Sequence, residues 1–317
     1  MTNETRSALT AERQSLESED GRRILIDLWS PAQPKALIHI FHGLGEHPAR
    51  YERFAIHCNG LGFAVAAHNH RGHGENCSND ELGHYDDNDG WDKVISDSAL
   101  VQENLVRQIP DVPVVLFGHS MGSYIAQNFL MRGHGSVSAL ALSATSFNSR
   151  LQLRVGHWIA AFEVMRGGKR NKSALLNRMG FGEFNKPFRP NRTEFDWLSR
   201  DENEVDKYVS DPLCGADSSS RLWFDLTGGL LEVSSLKALQ GIPVELPVLI
   251  TGGSDDPVGG QKGLTLLAKK YKESGHANTT LKIYANGRHE MLNETNRDEF
   301  SQDLTRWITE AVLTQSA

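Results

Sequence analysis

The sequence predicts an α/β protein: a mostly parallel, doubly wound sheet of about eight strands, flanked by helices and interrupted by one helical insertion. Three observations carry this expectation. Short β-branched apolar runs alternate with amphipathic segments before residue 144 and again after residue 247, the mark of repeated β-α-β units with right-handed crossovers. The apolar run Val112-Pro113-Val114-Val115-Leu116-Phe117 leads directly into Gly118-His119-Ser120-Met121-Gly122, as a strand does when it reverses sharply into a helix. Between residues 144 and 247 the alternation stops for far longer than a single crossover requires.

The elements follow in order. Residues 1–20 are polar and acidic and read as a flexible N-terminal arm or a short edge element. Residues 24–29 and 36–41 are β-branched and aromatic, and the turn-rich break Ser30-Pro31-Ala32-Gln33-Pro34 between them suits an antiparallel hairpin. A glycine-rich turn, His42-Gly43-Leu44-Gly45-Glu46-His47, precedes a helix over about 50–58 and a buried strand at 63–67. A helix over about 91–108, the strand 112–117, a helix over 124–131 and a strand at 139–143 make the second unit. Strands at 248–251 and 281–284, with helices near 263–271 and 298–313, complete the core. The division expected is therefore a core of residues 21–144 and 236–317, with residues 145–235 inserted as a cap.

Within the insertion, residues 153–165 and 194–208 have helical periodicity. Large apolar side chains are concentrated there: Trp158, Phe162, Met165, Phe181, Trp197, Leu222, Trp223, Phe224, Leu230 and Leu231. They suit a lid over an apolar pocket, although for any single one of them packing within the insertion is the first expectation.

Composition narrows the function classes. A net charge of -7 and the lack of a dense Lys/Arg run exclude a nucleic-acid partner of the usual electrostatic kind. No apolar run approaches the roughly 18 residues of a membrane span, and the N-terminus lacks the basic-then-apolar order of an export signal. A soluble cytoplasmic protein is expected. Cys58, Cys77 and Cys214 are widely spaced and odd in number, so they read as free thiols in a reducing compartment.

The chemistry centres on Ser120. A serine hydroxyl is a weak nucleophile at neutral pH and needs a histidine to take its proton and an acid to orient that histidine. In a sheet of this kind such groups collect just past the carboxyl ends of parallel strands. Gly252-Gly253-Ser254-Asp255-Asp256 follows one late strand and Ala285-Asn286-Gly287-Arg288-His289 the other. Asp256 is preferred to Asp255 because it lies farther beyond the strand end, and His289 to His276 because His276 precedes its strand. The oxyanion donors expected are the amides of Met121, directly after the nucleophile, and Leu44, in the early glycine-rich turn. No cofactor or metal is needed.

With these residues assembled, the chain resembles the α/β-hydrolase superfamily, and within it the monoacylglycerol lipase and lysophospholipase branch of serine hydrolases. The resemblance rests on His42-Gly43-Leu44-Gly45-Glu46-His47 with Arg50-Tyr51, Arg71-Gly72-His73-Gly74, Gly118-His119-Ser120-Met121-Gly122, Gly253-Ser254-Asp255-Asp256 and His289-Glu290 with Asn293-Glu294. It implies Ser120 as nucleophile, Asp256 as acid, His289 as base, Leu44 and Met121 as oxyanion donors, and residues 145–235 as the family's cap. It also implies a small acyl-ester substrate, with transient contact with lipid surfaces left open. Asn69 and Asn76 depart from the Asp and Ser usual around the Arg-Gly-His-Gly stretch, so local packing there is expected to differ.

Other readings fit less well. His68-Asn69-His70-Arg71-Gly72-His73 has the spacing of a binuclear metal site, but glycine stands where the carboxylate ligand belongs. A hydrolase fold used only for binding would lack part of the Ser, Asp, His set. An amidase or peptidase would use the same triad, and the apolar insertion favours esters with acyl chains.

Overall fold

A computed structural model describes residues 10–314. The strands are β1 Glu12–Glu17, β2 Arg23–Trp29, β3 Ala36–Phe41, β4 Phe63–His68, β5 Val114–His119, β6 Ala139–Ser143, β7 Val248–Gly253 and β8 Thr279–Tyr284. They form one sheet in the order β1-β2-β4-β3-β5-β6-β7-β8. The ladders are parallel from β4 onward and antiparallel at β1–β2 and β2–β4. Around the sheet run α1 Glu52–Gly60, α2 Gly90–Gln108, α3 Met121–Met131, α9 Gly260–Glu273 and α10 Arg297–Val312. Between β6 and β7 the chain builds α4 Arg150–Gly167, α5 Ala174–Phe181, α6 Glu202–Ser210, α7 Ser220–Val233 and the short α8 Leu236–Leu239.

The central strands are apolar on both faces because both faces are covered. On β5, Leu116 packs with Tyr124, Ile125 and Phe129 of α3, while Val115 and Phe117 join Phe54 of α1 and Phe300, Leu304 and Ile308 of α10 on the other side. Alternate residues of β6 and β7 divide in the same way, Leu140 and Ile250 to the first side, Ala141 and Leu249 to the second. Such double burial is what a parallel sheet between helix layers requires.

Three sequence expectations are corrected, and one of two alternatives is decided. Of the flexible arm or short edge element read at the N-terminus, residues 12–17 take the edge element, β1, antiparallel to β2 from Glu12↔Leu28 to Glu17↔Arg23; residues 1–9 lie outside the described residues. β2 and β3 do not pair as a hairpin. β2 sits between β1 and β4, whereas β3, buried at every position, sits between β4 and β5, where both its edges find parallel partners. The helix expected at 194–208 is two pieces, a 3₁₀ turn Asp196–Leu198 and α6, because the Asp196 carboxylate accepts from the amides of Arg192 and Thr193, and Ser199 and Asp201 are extended before α6. Trp158, Phe162 and Met165, expected inside the insertion, are 76%, 53% and 77% exposed on α4.

The Arg-Gly-His-Gly stretch is a structural joint at the end of β4. Buried Arg71 bonds Asp97 of α2 at 2.6 and 3.0 Å and Asp20 at 2.8 Å, tying the post-β4 loop to a helix and to the β1–β2 turn. Gly72 has φ +70°, and a β-carbon there would come within 2.5 Å of the His84 carbonyl oxygen. The asparagines are accommodated by their own bonds: Asn76 Oδ1 accepts from Leu25 N at 2.7 Å and Asn76 Nδ2 donates to the Asn69 carbonyl at 2.8 Å. Removing the guanidinium strands buried Asp97 without its partner. Arg71→Met is therefore expected to lose about 3 kcal/mol of stability in chemical denaturation at neutral pH; a loss near zero contradicts the role given to this joint.

Candidate functional site

The site is built where β3, β5, β7 and β8 end. Ser120 lies between β5 and α3 with φ 51° and ψ -119°, a conformation side-chain-bearing residues seldom adopt. It persists because its neighbours can come very close. A β-carbon on Gly122 would fall 1.9 Å from the Phe41 carbonyl oxygen, and one on Gly118 2.6 Å from the carbonyl oxygen of Gly122. The turn is further fixed by Ser120 N donating to the Ser143 carbonyl at 2.9 Å.

The late loops bring the other two candidates together. Asp256, buried after β7, accepts at Oδ1 from His289 Nδ1 at 2.9 Å and from Val258 N at 2.9 Å. Asp255 is exposed and is bonded by its neighbour Ser254. His289 is 3% exposed and lines the same cavity as Ser120. Burial opposes protonation of His289, but the charge and hydrogen bond of Asp256, assisted by Glu290 and Glu46, outweigh it and hold its pKa above the ordinary imidazole value. His276 lies before β8 and bonds Ser274 instead.

Leu44 and Met121 also line this cavity. The loop that carries Leu44 has an anchor that the residue pattern alone did not reveal: Glu46. Its buried carboxylate accepts from Gly43 N at 2.5 Å and from the Tyr51 hydroxyl at 2.7 Å, while Arg50 bridges Glu46 and Glu290. Burial, with Glu290 nearby, pushes the Glu46 pKa up to about 7 against the pull of Arg50 and Tyr51. Glu46 thus ties Gly43, the residue before Leu44, to Tyr51 and Arg50.

The insertion holds the histidine loop as well. Leu198 O accepts from Glu290 N at 2.8 Å, Arg288 donates to the carbonyls of Asp196 and Ser199, and Arg200 pairs with buried Glu294 at 2.9 Å. The Trp197 ring stands 4.8 Å from the His289 ring. The cavity beneath, about 660 Å³, is walled by Phe181, Phe184, Trp197, Trp223 and Leu230, with Glu46, Glu290 and Tyr208 supplying polar groups. This is the size and mixture of a small-molecule pocket.

The histidine run at 68–73 is not assembled as a metal centre. His68 bonds His39 and Ser98, His73 bonds the Arg71 carbonyl, and burial pushes His68 down to about 3 and His73 to about 4, so they are neutral packing groups.

Residues 32–296 match the family described as serine aminopeptidase S33. The chain belongs to this family of α/β-hydrolases. It is 30% identical to human monoglyceride lipase over 94% of this chain and 91% of that protein. It is 26% identical to monoacylglycerol lipase of Mycolicibacterium smegmatis over 94% of this chain and 97% of the relative. Its backbone superimposes with a TM-score of 0.87 on a thermostable carboxyl esterase from Bacillus coagulans, at 25% identity, covering 95% of this chain and 99% of that one.

For this α/β-hydrolase the contacts of Asp256 and Glu46 lead to separable outcomes. Asp256→Asn is expected to lower kcat about 10⁴-fold with circular dichroism unchanged, because it replaces the carboxylate that His289 Nδ1 bonds, while Asp255→Asn stays within about twofold, as befits an exposed side chain. Glu46→Ala should lower kcat about a hundredfold through a misplaced loop amide, with partial rescue in Glu46→Gln, which keeps an acceptor oxygen. Equal losses at Asp255 and Asp256, or an unchanged Glu46→Ala, would contradict the geometry.

Proposed function

We propose that Ser120, Asp256 and His289 form the catalytic triad of a serine hydrolase that cleaves carboxylic esters of acyl lipids, of the monoacylglycerol or lysophospholipid type. The observation that carries this reading is the convergence of the strained Ser120 turn and the buried Asp256–His289 pair on one apolar-walled cavity. His289 Nε2 removes the Ser120 proton as Oγ attacks the carbonyl carbon. Asp256 keeps the proton of His289 on Nδ1 and stabilises the imidazolium, and the amides of Leu44 and Met121 receive the oxyanion. Collapse expels the alcohol, protonated by His289, and leaves an acyl group on Ser120; water activated by the same histidine then releases the acid. Residues 145–235 act as the cap, whose Phe181, Trp197, Trp223 and Leu230 contact the acyl chain. The relatives named as lipases support the ester over the amide, and three unpaired cysteines suit a cytoplasmic enzyme.

We also propose that the enzyme works at an anionic lipid surface, docking through the outer face of α4 and α5. Leu151, Val155, Trp158, Phe162 and Met165 recur at alternating steps of four and three residues, a single stripe down α4, and all are more than half exposed. Leu175 and Met179 of α5 are exposed too, beside Asn177, Arg178 and Phe181, which line the cavity. Residues 150–192 carry ten Lys or Arg against two Glu in a chain of net charge -7, so the apolar stripe is embedded in the protein's most basic segment. An amphipathic helix with basic flanks is the chemistry that partitions into an anionic interface.

Two measurements test these readings. Because the neutral form of His289 is the base, kcat/KM should rise with pH through a midpoint above the ordinary imidazole value, and the limb should move lower in Asp256→Asn, where the raising charge is gone; a limb that does not move excludes the pair. Trp158→Asp with Met165→Asp should weaken partitioning onto phosphatidylglycerol vesicles at least tenfold and raise KM for vesicle-borne monoacylglycerol, leaving hydrolysis of a short soluble ester unchanged. Unaltered partitioning contradicts the docking face.

A further inference from the structure

Outside the Ser120 site, a second group of side chains has the composition of a metal centre. His47 Nε2, Asp211 and Cys214 Sγ present ligand atoms that all lie within 4.8 Å of one another, the one such trio of His, Cys, Asp or Glu among the described residues. His47 comes from the core, between the Leu44 loop and the 3₁₀ turn Pro48–Tyr51. Asp211 and Cys214 come from the insertion, on the tight turn after α6. That turn is closed by Cys214 N donating to the Asp211 carbonyl at 3.0 Å and by Leu213 N donating to Asp211 Oδ1 at 2.9 Å. The second carboxylate oxygen, Oδ2, is thereby left on His47 Nε2 at 2.8 Å.

The arrangement has two properties of a small transition-metal site. Two ligands stand three residues apart on one turn and the third comes from a distant segment, the usual way a short chain stretch and a fold combine to chelate an ion. Imidazole, thiolate and carboxylate together favour borderline-soft Zn²⁺ and Co²⁺ over Mg²⁺ or Ca²⁺, which demand oxygen donors. The hydrogen bond of His47 with Asp211 accounts for two of the three side chains; Cys214 packs beside Trp197, Leu198 and Tyr208, and its sulfur lies within reach of the other two ligand atoms.

We propose that His47, Asp211 and Cys214 bind one zinc-class divalent ion that clamps the insertion to the core, at a site separate from the chemistry at Ser120. Binding forms bonds from the metal to His47 Nε2, Asp211 Oδ2 and Cys214 Sγ, with water in the fourth position. The thiol proton passes to solvent, and His47 binds as the neutral ring with its proton on Nδ1. The clamp adds to a seam that exists already, where the Gly45 carbonyl accepts from Gly215 N at 2.9 Å and from the Tyr208 hydroxyl at 2.8 Å. Gly45, Tyr208 and Gly215 all line the substrate cavity, so loading stiffens its rim and raises the thermal midpoint of the folded protein.

The test is a Co²⁺ titration of the full chain, freed of any affinity tag, followed by absorption and by isothermal calorimetry, with Zn²⁺ competition. The expected result is one equivalent bound at micromolar or tighter affinity, with a thiolate-to-cobalt charge-transfer band that Zn²⁺ abolishes. That band should vanish in Cys214→Ser, persist in Cys77→Ser and in Ser120→Ala, and affinity should fall at least tenfold in His47→Gln and in Asp211→Asn. Hydrolysis of a short soluble ester by metal-free Cys214→Ser, at the wild-type rate, serves as the control for folding. The proposal is overturned by the absence of a thiolate band in the wild type, by its survival in Cys214→Ser, or by binding no tighter than millimolar.

Discussion

The contact on which the rest of this structure depends is the approach of Gly122 to the carbonyl of Phe41. A residue with any side chain at 122 would collide with that oxygen, at 1.9 Å from an added β-carbon. Because the two backbones can nearly touch, the first turn of α3 lies against the end of β3, and three separate parts of the site are fixed at once. Ser120 is held in its left-handed turn, Met121 begins the helix beside it, and the chain leaving Phe41 enters His42-Gly43-Leu44 next to both. Backbone strain of this kind costs on the order of 1–3 kcal/mol and survives only where surrounding structure over-determines it. Here β5 and β6, joined from Val115↔Ala139 to His119↔Ser143, and the double-sided core beneath them supply that determination.

The other half of the site is arranged by the insertion as much as by the sheet. β7 and β8 deliver Asp256 and His289 to neighbouring loops, yet the backbone of His289-Glu290 is hydrogen bonded to Trp197 and Leu198, and Arg288 and Arg200 lock the same stretch. A segment that walls the cavity therefore also holds His289 in place. Trp197 and Leu198, which line the cavity, share a short stretch with the carbonyls that bond the His289-Glu290 backbone. The exposed side chains of α4 and α5 belong to the same inserted segment, and on α5 Leu175 and Met179 alternate with Asn177, Arg178 and Phe181 of the cavity wall.

How far the sequence reveals this differs from residue to residue. Ser120 is legible because its glycines have a steric reason at fixed spacing, and Asp256 and His289 because they fall just past the ends of strands whose apolar runs are unmistakable. β3 and β5 are legible for the same reason, being buried on both faces. The pairing of β2 with β4 is not, since a turn-rich break between two strands says that the chain turns and not which neighbour it finds. β1 is legible only as one of two alternatives: an edge strand of Glu, Arg and Gln has the composition of a solvated tail as well, and its ladder to β2 decides between them. The role of Glu46 is invisible because one buried carboxylate accepting from a loop amide leaves no periodic trace. Trp158, Phe162 and Met165 show the limit most clearly, for spacing identifies an apolar stripe on a helix but cannot say whether protein covers it.

The central claim is that Ser120 carries the acyl group between two half-reactions. Rapid acid quench of the enzyme during turnover of a long-chain aryl ester, followed by peptide mass spectrometry, observes that intermediate directly. The account predicts one acyl adduct, on the peptide containing Gly118-His119-Ser120-Met121-Gly122 and localised to Ser120, accumulating within the first turnover. Turnover without an adduct under conditions where alcohol release precedes acid release, or an adduct on any other residue, would contradict it.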